Sequence, residues 1–215
     1  MKGQNEMKMT TGLLSKARHN TFALVIVSLL FALSGCTSTQ SSLSYYLLHS
    51  AVSSAQSEGS FKSSADSPDK STPLLITSIT LPDYLKHRGL VYQVSDTNLH
   101  ISTTHLWAEP FEEGLRKTLR DQLTNDNLVV LTNRDYQGDS AVELSIHISD
   151  FVSTFNGNVV LKGHFIVSTQ QPEKGRYPFF IETTLEEDGF SASVIAMRRA
   201  LAVLSTEIAE SARAN

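Results

Sequence analysis

Cysteine is almost absent from this sequence: Cys36 stands alone in 215 residues. A single thiol excludes an intramolecular disulfide framework and any zinc cluster assembled from paired cysteines. The seven histidines contain no His-x-x-x-His spacing, and neither a Gly-x-Ser-x-Gly elbow nor a glycine-rich phosphate loop is present. His100 and His105 lie five apart around an expected strand end, which chance proximity explains better than shared ligation. Glu186, Glu187 and Asp188 sit on an expected turn and read as solvated surface. His147 and Asp150 come nearest to an acid–base pair. Nothing here amounts to a reaction, so the chain is expected not to be an enzyme. A surplus of positive charge is missing too. The formal net charge is -4, and residues 1–35, with Lys2, Lys8, Lys16 and Arg18 against Glu6, account for +3 of it. The remainder is near -7 with its cations scattered, which argues against nucleic acid as a partner.

Long apolar runs are equally scarce. The uncharged run Phe22 to Leu33, preceded by the four basic residues just named, has the layout of an export signal. It falls short of the roughly 20 apolar residues that a spanning helix needs, and no second long run follows. The run ends in Leu33-Ser34-Gly35-Cys36, which resembles the lipobox of bacterial lipoproteins. The resemblance implies cleavage after residue 35, with a diacylglycerol and an N-acyl chain on Cys36 as covalent additions and no other cofactor. Two or three acyl chains, at about 0.8 kcal/mol per buried methylene, make an effectively permanent anchor. Thr37 and Ser38 follow where an inner-membrane protein of this kind usually carries aspartate. The expected location is therefore the periplasmic face of the outer membrane.

Three segments follow from composition: a signal over 1–35, a tether with a short strand and a serine-rich stretch over 36–72, and a folded domain over 73–215. Tyr45 to Leu48 is a candidate first strand. If it pairs, Ser50 to Thr72 is a long surface loop; if not, that stretch extends the tether. Further strands are expected at Leu74 to Leu81, ending before Pro82, then at Leu90 to Val94, Leu99 to Ser102 and Leu128 to Leu131. Val142 to Ile148 alternates apolar and polar residues, Asn156-Gly157 signals a hairpin, and Val159 to Thr169 and Pro178 to Leu185 complete an antiparallel meander.

The period changes from Trp107 to Leu123. Phe111, Leu115, Leu119 and Leu123 recur every four residues with charges between them, and Pro110 suits a first turn. A second helix, about Ser191 to Ala212, places Val194, Met197, Leu201, Leu204 and Ile208 on one stripe. The fold class is thus α+β, a mostly antiparallel sheet with two amphipathic helices packed on one face.

Leu81-Pro82-Asp83-Tyr84-Leu85, Gly89, Val91-Tyr92-Gln93-Val94-Ser95-Asp96 and Leu106-Trp107-Ala108-Glu109-Pro110-Phe111, followed by Phe151, Gly157, Lys162-Gly163 and Asp188-Gly189-Phe190, resemble the ABC-type transport auxiliary lipoprotein family. Phe165 stands where many relatives carry tryptophan, which keeps an aromatic ring there. The resemblance implies a non-enzymatic role: docking an MCE-domain tunnel protein to the outer membrane within an intermembrane lipid transport system that supports envelope integrity. Self-association is a further expectation, since an open sheet has edges to pair. The alternative is a periplasmic lipoprotein that itself binds a lipid or small apolar ligand. Cys36 is the lipidation site, and Tyr84, Tyr92 and Trp107 are candidate partner contacts. For Trp107, a residue packing back onto the helix it precedes is the competing role.

Overall fold

The structure, a computed structural model, describes residues 42–49, 73–126, 128–131, 141–168 and 175–214. All of them belong to one compact unit, Ser42–Asn215. The export signal, Cys36, the serine-rich stretch and the expected turn at 133–140 lie outside the described residues.

Eight strands form one sheet: β1 (Ser44–Tyr46), β2 (Leu74–Thr80), β3 (Gly89–Ser95), β4 (Asn98–Trp107), β5 (Val130–Leu131), β6 (Val142–Ser153), β7 (Asn158–Ser168) and β8 (Gly175–Thr184). Two helices, α1 (Phe111–Asn125) and α2 (Phe190–Ala214), and a short 3-10 turn at Asp83–Lys86 complete the fold. The long ladders β6–β7, β7–β8 and β3–β4 are antiparallel, as their short connections require. The shorter pairings β1–β4, β2–β5 and β2–β6, with a single bridge between β3 and β6, are parallel. The sheet is therefore mixed, and its parallel members are those that enter through long connections. β6 holds it together, pairing with β7 along one side and with β2 and then β3 along the other.

Alternation along β6 and β7 sends Leu144, Ile146, Ile148, Phe151, Leu161, Phe165 and Val167 inward, where none is more than 1% exposed. Leu115, Leu119 and Leu123 of α1 and Leu201, Leu204 and Ile208 of α2 meet them with no exposure at all, in one continuous core. The two helices touch each other and lie against the same face of the sheet. The opposite face is largely polar, with Glu143, His147, Lys162, Arg176 and Glu182.

Two boundaries differ from the sequence reading. β4 runs on through Trp107, and α1 starts only at Phe111, after Pro110 as its N-cap. Between Gly89↔Leu106 and Val91↔Ile101 the register slips, so β4 carries three extra residues. The buried Ser102 Oγ accepts the N–H groups of Thr104 (3.3 Å) and His105 (3.0 Å) that the bulge removes from the ladder. Likewise β6 continues through Ser153, past a bulge between Ile148 and Asp150 that turns Phe151 back to the core. The hairpin β6–β7 closes where Asn156-Gly157 marks it, with Gly157 at φ 78° and its N–H donated to the Thr154 carbonyl at 3.2 Å.

Candidate functional site

Cys36 lies outside the described residues, but the chain that follows it enters the fold within a few residues. β1 pairs with the end of β4 (Ser44↔His105, Tyr46↔Trp107), and the Ala108 N–H donates to the Tyr46 carbonyl at 2.8 Å. Just past β1, Leu48 is 1% exposed in the core, close against Gly114 of α1, where an added Cβ would stand 3.2 Å from the Leu48 Cβ. Arg198 of α2 grips the backbone there. Its Nε donates to the Leu48 carbonyl at 2.7 Å, and its Nη2 donates to those of Leu47 at 2.9 Å and His49 at 3.2 Å. A planar guanidinium suits this task because its donors are held in a fixed fork. Burial lowers the Arg198 pKa from its ordinary value, the mark of a cation partly withdrawn from water. On the other side, His49 Nδ1 stands 2.9 Å from Glu109 Oε1 without hydrogen-bond alignment, and Lys117 Nζ bonds the other Glu109 oxygen. The N-terminal segment is thereby fixed to the sheet by β1, to the core by Leu48, and to both helices by Arg198 and, through Glu109, Lys117.

The three candidate contact residues separate into two groups. Trp107 is 4% exposed with its ring 5.0 Å from that of Phe111, which in turn lies 5.7 Å from Phe151. Its place is packing ahead of α1, and it offers a partner little surface. Tyr84, in the 3-10 turn, joins the same group from outside: its half-buried hydroxyl accepts the Phe151 N–H at 3.1 Å. Burial foremost pushes the Tyr84 pKa up to about 12, with the charge of Asp150 adding to it. Tyr92 belongs elsewhere. Its ring meets Phe190, at the head of α2, edge-on at 5.5 Å and lies 5.1 Å from His100. Phe190 also stacks on His105 at 3.9 Å, and His105 Nδ1 is 2.9 Å from the Tyr46 hydroxyl. The two strand histidines are thus members of an aromatic cluster. Beside it opens a groove of about 410 Å³ lined by Tyr92, Val94, Phe155, Leu185, Asp188 and Phe190, among others, and Val94 and Phe155 are about half exposed.

The remaining chemistry is sparse. His147 lies beside His164, ring centroids 5.0 Å apart, while Asp150 pairs in register with Lys162, so the structure does not assemble an acid–base pair from His147 and Asp150. Glu186 of the acidic cluster is bound by Arg199 at 2.7 Å on the surface. Among the described residues no group of three histidine, cysteine or acidic side chains is placed to hold a metal, and no helix is long and apolar enough to cross a membrane.

A mixed sheet backed by two helices is shared with known proteins. The ABC-type transport auxiliary lipoprotein component family matches residues 53–209, and the chain belongs to that family. Within it, the chain is similar to the intermembrane transport lipoprotein PqiC of Escherichia coli K12, 29% identical over 171 residues that cover 80% of this chain and 86% of the relative. PqiC of Shigella flexneri matches to the same extent. A crystal structure of an uncharacterized protein superposes with a TM-score of 0.64 at 26% identity, covering 79% of this chain and 98% of the other. A Xanthomonas campestris protein, at 15% identity and a TM-score of 0.51 over 65% of this chain and 82% of its own, shows the same fold. The chain is thus a member of the transport auxiliary lipoprotein family that resembles PqiC over most of its length.

Proposed function

We propose that this protein is anchored through acylated Cys36 to the periplasmic face of the outer membrane. There it holds an MCE-domain protein of the PqiB type, as one component of an intermembrane lipid transport system that supports envelope integrity. Membership of the transport auxiliary lipoprotein family supports the transport role, and Leu33-Ser34-Gly35-Cys36 supports the anchor. The observation that carries the reading is the family match over residues 53–209. The clasp of Arg198 on residues 47–49 adds that the folded body begins a dozen residues after Cys36, which leaves only a short tether between body and anchor.

The test replaces Cys36 with serine. The Cys36→Ser chain should fractionate with soluble periplasmic contents, cease to co-purify an MCE-domain protein after cross-linking in intact envelopes, and fail to restore barrier function to cells lacking the protein. Retention on the outer membrane with normal function would refute the anchor. Recovery of the unsubstituted chain without any MCE-domain protein would refute the docking role.

The apolar groove beside Tyr92 and Phe190 favours a second reading, in which the body itself takes a lipid or small apolar ligand. Native mass spectrometry of the protein freed of its anchor should then show added lipid mass, and Phe190→Asp should abolish it.

A further inference from the structure

The edge of the sheet formed by the first described strand, the one closest in sequence to Cys36, exposes a row of apolar side chains. Leu43, Tyr45 and Leu47 are 55%, 53% and 37% exposed, while the alternate residues Ser44, Tyr46 and Leu48 turn toward the body. Period-two alternation along extended chain puts the three exposed side chains on one side. β1 is the terminal strand at this end of the sheet, so one of its own edges is unpaired by the described strands. Next to it runs a basic turn, Lys86-His87-Arg88, all exposed, and the Arg88 guanidinium lies over the Tyr45 ring at 5.5 Å from its centroid. Lys86 is paired with Asp83, and Glu109, the nearest acid on the β4–α1 connection, is neutralised by Lys117 and faced by His49. On a body whose charge outside residues 1–35 is near -7, this edge is a local exception.

We propose that this edge, Leu43, Tyr45, Leu47 and Arg88, rests in the headgroup region of the membrane that holds the anchor, so that the lipid and the protein surface together fix which way the body faces. The proposal rests on acylation of Cys36. Chain reach carries it further: Leu43 is seven residues beyond Cys36, and an extended chain spans at most about 3.5 Å per residue, so this edge stays within about 25 Å of the anchoring sulfur. Its side chains are the kind that an interface takes. Tyrosine settles at headgroup depth, leucine reaches the acyl boundary, and arginine keeps its charge among anionic headgroups while its stem lies on apolar surface. An amphipathic edge of this size binds weakly alone and strongly once tethered, because the anchor holds it at high effective concentration.

The lone cysteine makes the test clean. With Cys36 acylated, a thiol introduced by Leu43→Cys, Tyr45→Cys or Leu47→Cys is the only one able to react. Phe180→Cys, on the far edge strand β8 at a site 65% exposed, is the control. Each full-length lipidated variant is labelled with an environment-sensitive fluorophore and reconstituted in phosphatidylethanolamine–phosphatidylglycerol vesicles carrying spin-labelled quencher lipid. Labels at 43, 45 and 47 should be quenched at least about threefold more than the label at 180. Equal quenching at all four sites would overturn the proposal while leaving the anchor intact. Cross-links from residue 45 to a second copy, with no lipid quenching, would also overturn it and assign the edge to self-association. Labelling of Cys36 in the unsubstituted chain would show a free thiol, and would remove both the anchor and this proposal.

Discussion

Replacing Arg198 with methionine removes the clasp while keeping an unbranched side chain of similar length. The arginine makes three charge-assisted bonds, two of them partly buried, to Leu48 and His49, and one exposed, to Leu47. Counting about 1.5 kcal/mol for each partly buried bond and nothing for the exposed one, then subtracting the desolvation that Arg198 no longer suffers, leaves a loss of about 2 kcal/mol. That loss falls on the segment that is clasped, so residues 42–49 should open locally about 30 times more often than in the parent. Hydrogen–deuterium exchange of the peptide covering β1 and Leu48 reads this directly. Urea unfolding followed by Trp107, the one tryptophan of the chain and a direct neighbour of β1 across the ladder, reads it globally. Arg198→Lys should fall between the two, since an ammonium cannot reach three carbonyls in one plane. If Arg198→Met leaves exchange at residues 42–49 within twofold of the parent, water replaces the guanidinium at no cost and the clasp is not what fixes the segment.

Gly163→Ala should be far more damaging than its size suggests. A Cβ there would lie 2.1 Å from the His147 carbonyl oxygen and 2.8 Å from the Phe179 ring, and a cost of about 3 kcal/mol or more should appear as a lowered denaturation midpoint or lost soluble yield. Leu119→Ala, at a fully buried position of α1, should cost about 2–5 kcal/mol by the same measurement. Tyr84 should make the protein sensitive to alkali: its folded pKa is raised to about 12 chiefly by burial, while the unfolded chain titrates near 10. The unfolded state then loses its proton first, so stability that is complete below about pH 10 falls as pH rises toward 12. Tyr84→Phe should remove that decline in pH-dependent unfolding curves, and at pH 7 should lose about 1–3 kcal/mol because the Phe151 N–H is left without its acceptor.

Each strand and helix among the described residues has a counterpart in the sequence, plainest where a period marks it, four in Phe111-Leu115-Leu119-Leu123 and two in Val142 to Ile148, while Tyr45 to Leu48 is only a candidate strand and Leu99 to Ser102 covers less than half of β4. The period fails where a bulge interrupts it. Ser102 to His105 bulge out of β4, so the alternation that would have carried the strand to Trp107 is lost, and an aromatic followed by Pro110 looks like a helix start. The bulge after Ile148 likewise hides the second half of β6. Parallel pairing was not visible, since it depends on strands brought together by long connections and leaves no local mark. The same holds for the clasp: Arg198 and Leu48 are 150 residues apart, and an arginine on the polar side of an amphipathic helix announces nothing. Of the three aromatic candidates, only the packing role of Trp107 had a local signal, its position just ahead of a helix. The association of Tyr92 with Phe190 had none.

The way the N-terminal segment is held has a mechanical consequence. Tension arriving along the chain at Ser42 meets two attachments in turn, first the β1–β4 ladder into the sheet and then the guanidinium of Arg198 into α2. Neither layer has to be peeled from the other for such a force to be borne. A pull on the leading segment would be shared by the strand ladder first, with the guanidinium as a second hold behind it.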